Sequence, residues 1–449
     1  MKKLFFLLFI GFSTFCFSQN NYYLAQRYYI EGEYKKAAQL FETLYEKSPF
    51  NTTYLSRLVA CYQETENFTK AEELLKRKLK QTNNQGHLHI FLGYNYQRQN
   101  LDELAEKQYK LGLKSVERNP AYAGIIGRSF KEYSLLDYAI ATYEKAMELD
   151  ENLNYNFQIA QINGEKGDLE KMFTSYIDLI DKNEDYLSLV QRYASTFITY
   201  DNENEANKIF RKTLLKKSIS NPKDIWNQLL SWLFTKQKDY NKALIQQKAL
   251  FQRNNKPEFN NQSTVDNIYQ LGAVAFDNNS FEVAEECFKF VIENSNSFNE
   301  ALKIEANLYL VKIYIALKTT DVEAFFQKLF EQFGRKTRSL KIQTAYADFL
   351  TFQQNNPDKA KEVLQDALQF ANIKYDKARI KIKLADILVF TQNYNSALVY
   401  YSQVQTQLKG SELAQEARLK VARTSYFKAD FDWAKAQLKI LKGPTSQLV

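Results

Sequence analysis

The sequence predicts an all-α chain, a right-handed superhelical solenoid of about twelve antiparallel helix pairs. Three observations predict it. Ala37, Ala71, Ala105 and Ala139 stand 34 residues apart, and the same neighbours return around each. A small or slim residue lies twelve before (Ala25, Val59, Gly93, Gly127), an aromatic nine before (Tyr28, Tyr62, Tyr96, Phe130), and a ring or Leu four after (Phe41, Leu75, Tyr109, Tyr143). The composition agrees: 45% of the residues are hydrophobic, with only 13 Gly and 6 Pro, which suits long helices with few sharp turns.

The chain opens on a separate object. Lys2 and Lys3 precede an apolar run from Leu4 to Phe17, too short to span a bilayer comfortably. Cys16 and Ser18 are small residues three and one before a cut at Gln19, so residues 1–18 read as a secretory signal peptide. A lipoprotein signal with Cys16 as the lipidated residue needs a small residue before the Cys, and Phe15 stands there. No later apolar run is long enough for a membrane span.

Each 34-residue unit then reads as two amphipathic helices. In the first, Leu24, Ala25 and Tyr28 mark one face of the first helix. Ala37, Leu40, Phe41 and Leu44 mark the second helix at i, i+3, i+4 and i+7, and Glu31, Gly32 and Glu33 form the turn. The small residues let the two helices approach closely; overpacking such a contact costs about 1–3 kcal/mol.

These features resemble the tetratricopeptide repeat family. The period, the paired helices, the small pairs Ala25/Ala37, Gly93/Ala105 and Gly127/Ala139, and Pro49 and Pro120 closing two units carry the resemblance. Later units match more loosely. The fifth has Ala160, Met172 and Tyr176, with Met in place of the second-helix alanine. The sixth has Ala194, Phe197, Ala206 and Phe210; the seventh Leu230, Phe234 and Ala243; the eighth Leu271, Gly272, Ala284 and Phe288. The ninth, near Leu310 to Phe330, has no readable register, and the last three centre on Ala360, Ala397 and Ala434. The polar break from Gln252 to Ser263 separates repeats 19–251 from repeats 264–442 as a hinge or domain boundary; the other reading is a surface loop within one array.

Residues that carry chemistry are scarce. The two histidines, His87 and His89, point about 200° apart on a helix and cannot share a metal. No zinc, nucleophile-elbow or phosphate-loop motif occurs. We expect no catalytic, cofactor or metal site. Carboxylates are numerous, and they read as ordinary helical surface. The charge of +8 is spread along the chain and reads as a solvated surface rather than a nucleic-acid interface. Cys61 and Cys287 lie in distant repeats and read as buried free thiols.

What the repeats offer is an inner wall built from the first helices. Its stripe falls fifteen, eleven and eight residues before the alanine: Tyr22, Gln26 and Tyr29; Ser56, Ala60 and Gln63; Ile90, Tyr94 and Gln97, with Arg98 beside them; Gly124, Arg128 and Lys131. Gln26, Tyr29, Gln63, Tyr94, Gln97, Arg98, Arg128 and Lys131 are the candidate partner-binding residues, able to hydrogen-bond an extended backbone and stack on its side chains. The resemblance brings a second possibility, a Lys/Asn clamp for a terminal carboxylate, but these stripes carry Gln, Tyr and Ser, so the clamp is not carried over. Toward the C-terminus the stripe turns apolar: Phe349 and Phe352, Ile382 and Val389, Leu419 and Tyr426. The last helix carries Trp433, Leu438, Ile440 and Leu441 before Gly443 and Pro444, and we expect Trp433, Leu438 and Leu441 to mark a docking or self-association surface.

The expected function is a non-catalytic protein–protein interaction scaffold of the cell envelope that binds a peptide or protein segment on its concave surface. The basic, short leader points first to the periplasm, then to an outer-membrane-associated or secreted location. The alternatives are an envelope-assembly or secretion accessory that escorts client proteins, and a cell-wall enzyme.

Overall fold

The computed structural model describes residues 21–82, 85–254, 262–295, 299–318 and 321–441. Among them there are helices and turns and no strand. Residues 1–18, read above as a signal peptide, most of the polar break, and Gly443 and Pro444 lie outside the described residues.

The chain forms two compact units, divided between Trp226 and Asn227. In the first, α1 (21–30) pairs with α2 (Tyr34–Lys47), α3 (Thr52–Glu64) with α4 (Phe68–Gln81), and α5 (Gly86–Gln97) with α6 (Asp102–Arg118). Then α7 (Ala123–Glu132) pairs with α8 (Leu136–Leu149), α9 (Asn156–Glu165) with α10 (Leu169–Lys182), and the short α11 (Leu187–Ala194) precedes α12 (Glu205–Ser220). The division falls in the first turn of α13 (Asp224–Lys236). The second unit continues with α14 (Tyr240–Asn254), α15 (Gln262–Asp277) and α16 (Phe281–Asn294), then α17 (Glu300–Leu317) and α18 (Val322–Phe333). It ends with α19 (Leu340–Phe352), α20 (Pro357–Phe370), α21 (Lys374–Phe390), α22 (Tyr394–Gln407), α23 (Glu412–Phe427) and α24 (Phe431–Leu441). The main helix packing within each unit is between a helix and the next or next but one in sequence, the contact pattern of a linear repeat array.

The repeat alanine is the fourth residue of its second helix in α2, α4, α6, α8, α14, α16, α20, α22 and α24, and it is buried in all of them. In eight pairs the residue four later is a second buried knob: Phe41, Leu75, Tyr109, Tyr143, Tyr176, Phe288, Leu364 and Tyr401 are all under 5% exposed. Its size is matched across the pair. Tyr109 faces Gly93, where a Cβ would lie 2.5 Å from the ring; Tyr143 lies over Gly127 in the same way; Phe41 shares its pair with Ala25, and Leu75 with Val59. In the fifth pair Met172 replaces the alanine, and Gly164 makes room: a Cβ there would lie 2.9 Å from the methionine sulfur.

The turn within a pair is equally regular. The residue five before the alanine has a left-handed backbone in ten pairs, from Gly32 and Glu66 to Gln392 and Ala429. The next residue donates its N–H back to the aromatic position: Glu33 to Tyr28, Asn67 to Tyr62, Leu101 to Tyr96 and Leu135 to Phe130, at 2.8 to 3.0 Å. This is a Schellman stop. The same residue's carbonyl accepts from the alanine N–H, so it also starts the second helix.

Two pairs depart from the plan. In the sixth, α11 is short, no left-handed turn occurs, and the fourth residue of α12 is Lys208 rather than the expected Ala206. Its connection is closed by buried Asn207, which donates to the Thr199 and Asp201 carbonyls at 2.8 and 2.6 Å. In the ninth, Phe325 takes the alanine position on α18 and meets Tyr314 edge to face at 5.3 Å. Phe325 hides the register that the sequence pattern could not fix.

Cys61 and Cys287 are buried and free. At the end of the second unit Trp433 and Leu438 are exposed, at 51% and 39%. Leu441, expected beside them, is 2% exposed. It lies seven after the repeat alanine, where Leu44, Ala146, Val291 and Val404 are also buried.

Candidate inner-wall binding site

The wall of the first unit is built by α1, α3, α5 and α7. Their end-capping turns fix where each helix stops, and the matched pairs of small residue and ring fix their height. Tyr29 is half-buried; the Arg57 guanidinium lies 4.7 Å from its ring centroid, and Tyr34 meets it edge to face at 5.4 Å. Burial raises the Tyr29 phenol above its usual pKa, against the pull of Arg57.

The centre of the wall is aromatic. Tyr94 stacks on Tyr133 at 4.1 Å, and Phe91 meets Tyr133 edge to face at 5.8 Å and His87 at 5.7 Å. Burial pushes the Tyr133 phenol far up, and the charges of Glu132 and then of Tyr29, Tyr94 and Tyr109, from the first and third pairs, add to the shift. His87 is 5% exposed, and burial lowers its pKa to about 4, so its imidazole is neutral at pH 7.

The expected residues divide into three groups. Tyr94, Arg98 and Lys131 are half-buried and Gln97 and Arg128 exposed, all on the first helices of the third and fourth pairs except Arg98, which caps the end of α5. Arg98 pairs with Glu64 at 3.0 Å and Lys131 with Glu165 at 2.6 Å, each bridge joining successive pairs. Gln97 accepts from the Tyr109 hydroxyl at 2.6 Å, and Gln26 and Tyr29 hold the first pair's part of the wall. Gln63 departs from the expectation. It is 1% exposed and donates to the Phe91 carbonyl at 3.1 Å, because α5 packs over the end of α3. Ile90, on the same stripe, is fully buried. In the second unit Ile382 is likewise buried, whereas Phe352 and Tyr426 are exposed.

The stripe rule missed Arg57, His87, Phe91 and Tyr133. Tyr133 lies six before the alanine, in the turn, and no helical stripe includes that position. Three buried acceptor or ring atoms on this wall, Gln26 Oε1, Gln63 Oε1 and His87 Nε2, make no hydrogen bond. The candidate site is therefore an aromatic centre with polar atoms around it and cations beyond. His89, by contrast, joins the two helices of its pair through Gln108 at 2.8 Å. Among the described residues no group of three or more His, Cys, Asp or Glu is placed to hold a metal ion, and no helix is long and apolar enough to cross a membrane.

Residues 28–93 match a tetratricopeptide repeat family. The match runs from the aromatic position of the first pair to the glycine of the third. No curated protein matches the chain. Solved structures similar to it include yeast Tom70, at 14% identity, covering 94% of this chain and 91% of that one with a TM-score of 0.32. The hetero-tetramer Cut9–Hcn1 of the APC/C matches at 12% identity, 94% and 92% coverage, and the same TM-score. Naa15/Naa10 bound to HypK-THB matches at 12% identity, 94% and 68% coverage, and a TM-score of 0.32.

Proposed function

We propose that this protein is a non-catalytic scaffold that holds a peptide or protein segment against the inner wall of its first unit, in the cell envelope. The observation that carries the reading is the Tyr94–Tyr133 stack, with Arg98 beside it, both rings only partly buried and held by a helix and a turn whose geometry is fixed. A preset aromatic surface with polar groups around it binds without first ordering itself. Tyr and Arg are also the residue types that dominate protein interfaces. The tetratricopeptide match over residues 28–93 supports a protein as the partner. The leader at residues 1–18 supports export, with the periplasm first. Exposed Trp433 and Leu438 fit a second contact with the same or another protein.

A photo-crosslinking residue placed at Gln97 on the wall, and at Lys107 on the outer surface as control, tests the reading in cells. A discrete adduct at Gln97 and none at Lys107 is expected; equal labelling at both contradicts it. A few discrete adducts mark a scaffold, and a broad smear of clients marks the escort alternative. N-terminal sequencing of envelope-fraction protein should begin at Gln19; an intact Met1 in the cytosol contradicts export.

A further inference from the structure

The inner wall of the first unit offers free hydrogen-bond donors. The hydroxyls of Tyr62, Tyr96 and Tyr109, which join helices of the core, donate to Glu42, Glu72 and Gln97 at 2.6 to 3.0 Å. Half-buried Tyr29 and Tyr94 have no such acceptor among the described residues. Gln97 accepts from Tyr109 with its oxygen, which leaves the N–H groups of its exposed amide free. Arg128 is exposed and has no ion-pair partner among the described residues.

The acceptors of the same wall are withdrawn. Gln26 Oε1 and Gln63 Oε1 are buried. Glu64 and Glu132 are the two carboxylates on α1, α3, α5 and α7. Arg98 holds Glu64 at 3.0 Å, and Lys131 holds Glu165 of the next pair at 2.6 Å. Exposed Glu132, at the end of α7, is the open acceptor that remains.

An ordinary backbone brings one donor and one acceptor per residue. Against this wall its carbonyls find partners and its N–H groups find few, and an unmatched polar group weakens binding. Proline brings a carbonyl and no N–H. A run of prolines forms a polyproline II helix before it binds, with every carbonyl free of internal bonds. Its apolar rings suit the partly buried Tyr94–Tyr133 centre. An acidic segment would also accept from these donors, but Arg98 and Lys131 are already neutralised and Glu132 would repel it.

We infer that the inner wall of the first unit takes a proline-rich segment in the polyproline II conformation. This rests on the wall being the binding surface, and it names the class of segment that fits. The Tyr29 and Tyr94 hydroxyls, the Gln97 amide and Arg128 donate to its carbonyls.

The probe is a fluorescein-labelled oligoproline of about ten residues, roughly three turns of that helix. It is titrated with the full mature chain and followed by anisotropy. The controls are a Gly/Ser peptide and an Ala/Glu peptide of the same length. The oligoproline is expected to bind at least about ten-fold more tightly than either. The variant Tyr29→Phe/Tyr94→Phe removes two hydroxyls and keeps both rings. It is expected to weaken binding by about ten-fold with an unchanged melting curve, and exposed Arg128→Gln is expected to act in the same direction. An oligoproline that does not bind, a control that binds as tightly, or variants that bind like the wild type overturn the inference. If the Gln97 crosslink persists in cells while oligoproline fails, the wall binds and the class of segment is wrong; if both fail, the wall is not the binding surface.

Discussion

Gly93 leaves the space that the Tyr109 ring fills, and Val59 shares its pair with the smaller Leu75. The spacing of a pair is thus set by the sum of two side chains rather than by either alone. Gly93→Ala should destabilise the chain by about 1–3 kcal/mol in urea denaturation, since the ring must shift. Adding Tyr109→Leu should recover part of the loss, a coupling that a double-mutant cycle reads directly. Additive effects would show that the ring and the glycine do not share this space. His87 gives a pH prediction. Its pKa falls from 6.5 to about 4 on burial. A depressed folded pKa means the contribution is complete above pH 6.5 and is lost as the unfolded chain takes up a proton first. Stability should therefore drop by on the order of 2–3 kcal/mol between pH 6.5 and 4, and a His87→Gln chain should drop less over the same window. Cys61 and Cys287, with thiols pushed up to about 12 by burial, should resist alkylation at pH 8 until the chain unfolds. Fast labelling of the native chain would contradict their placement.

The helix pair with its stop-and-start turn is the element from which both units are built. Its left-handed residue is glycine in Gly32 and Gly167 but Glu66, Asn100, Ser134 or Gln392 elsewhere. A side chain in that conformation costs about 1–2 kcal/mol, partly offset by the greater freedom glycine loses on folding. Glu66→Gly, at an exposed turn, should therefore raise stability by up to about 1 kcal/mol; a loss would show that Glu66 contributes through another contact. This is also where the sequence was least informative. The alanine, aromatic and small positions could be counted along the chain because burial restricts them to few residue types. The left-handed position is Gly or Asn in only half of the ten pairs and otherwise Glu66, Ser134, Lys238, Gln392 or Ala429, so its pattern is too diluted to count along the chain. The ninth pair escaped for the opposite reason: Phe325 occupies the alanine position, so its strongest marker is missing. The site was half legible. Tyr94, Arg98 and Arg128 follow from helical spacing. Tyr133 comes from the turn, and Gln63 is covered by the next pair, and both depend on packing between repeats.

Each unit is an array in which helices pack mainly on the next or next but one. Stability in such an array is a sum of local and nearest-neighbour contributions. Gly127→Val should therefore raise hydrogen exchange in α5 to α9 and leave α19 to α22 unchanged, a contrast mass spectrometry resolves. A uniform rise would mean that the chain opens as one cooperative body. The central claim concerns the wall those arrays present. Changing Tyr94, Arg98 and Arg128 together to Ala removes three of its partly or fully exposed groups and none of the buried core. The most direct measurement is in-cell crosslinked capture by this triple variant, with far-UV circular dichroism of the same protein alongside. The account predicts wild-type helicity and loss of the captured partner. Wild-type capture by a fully helical variant would contradict it and move the binding surface off this wall.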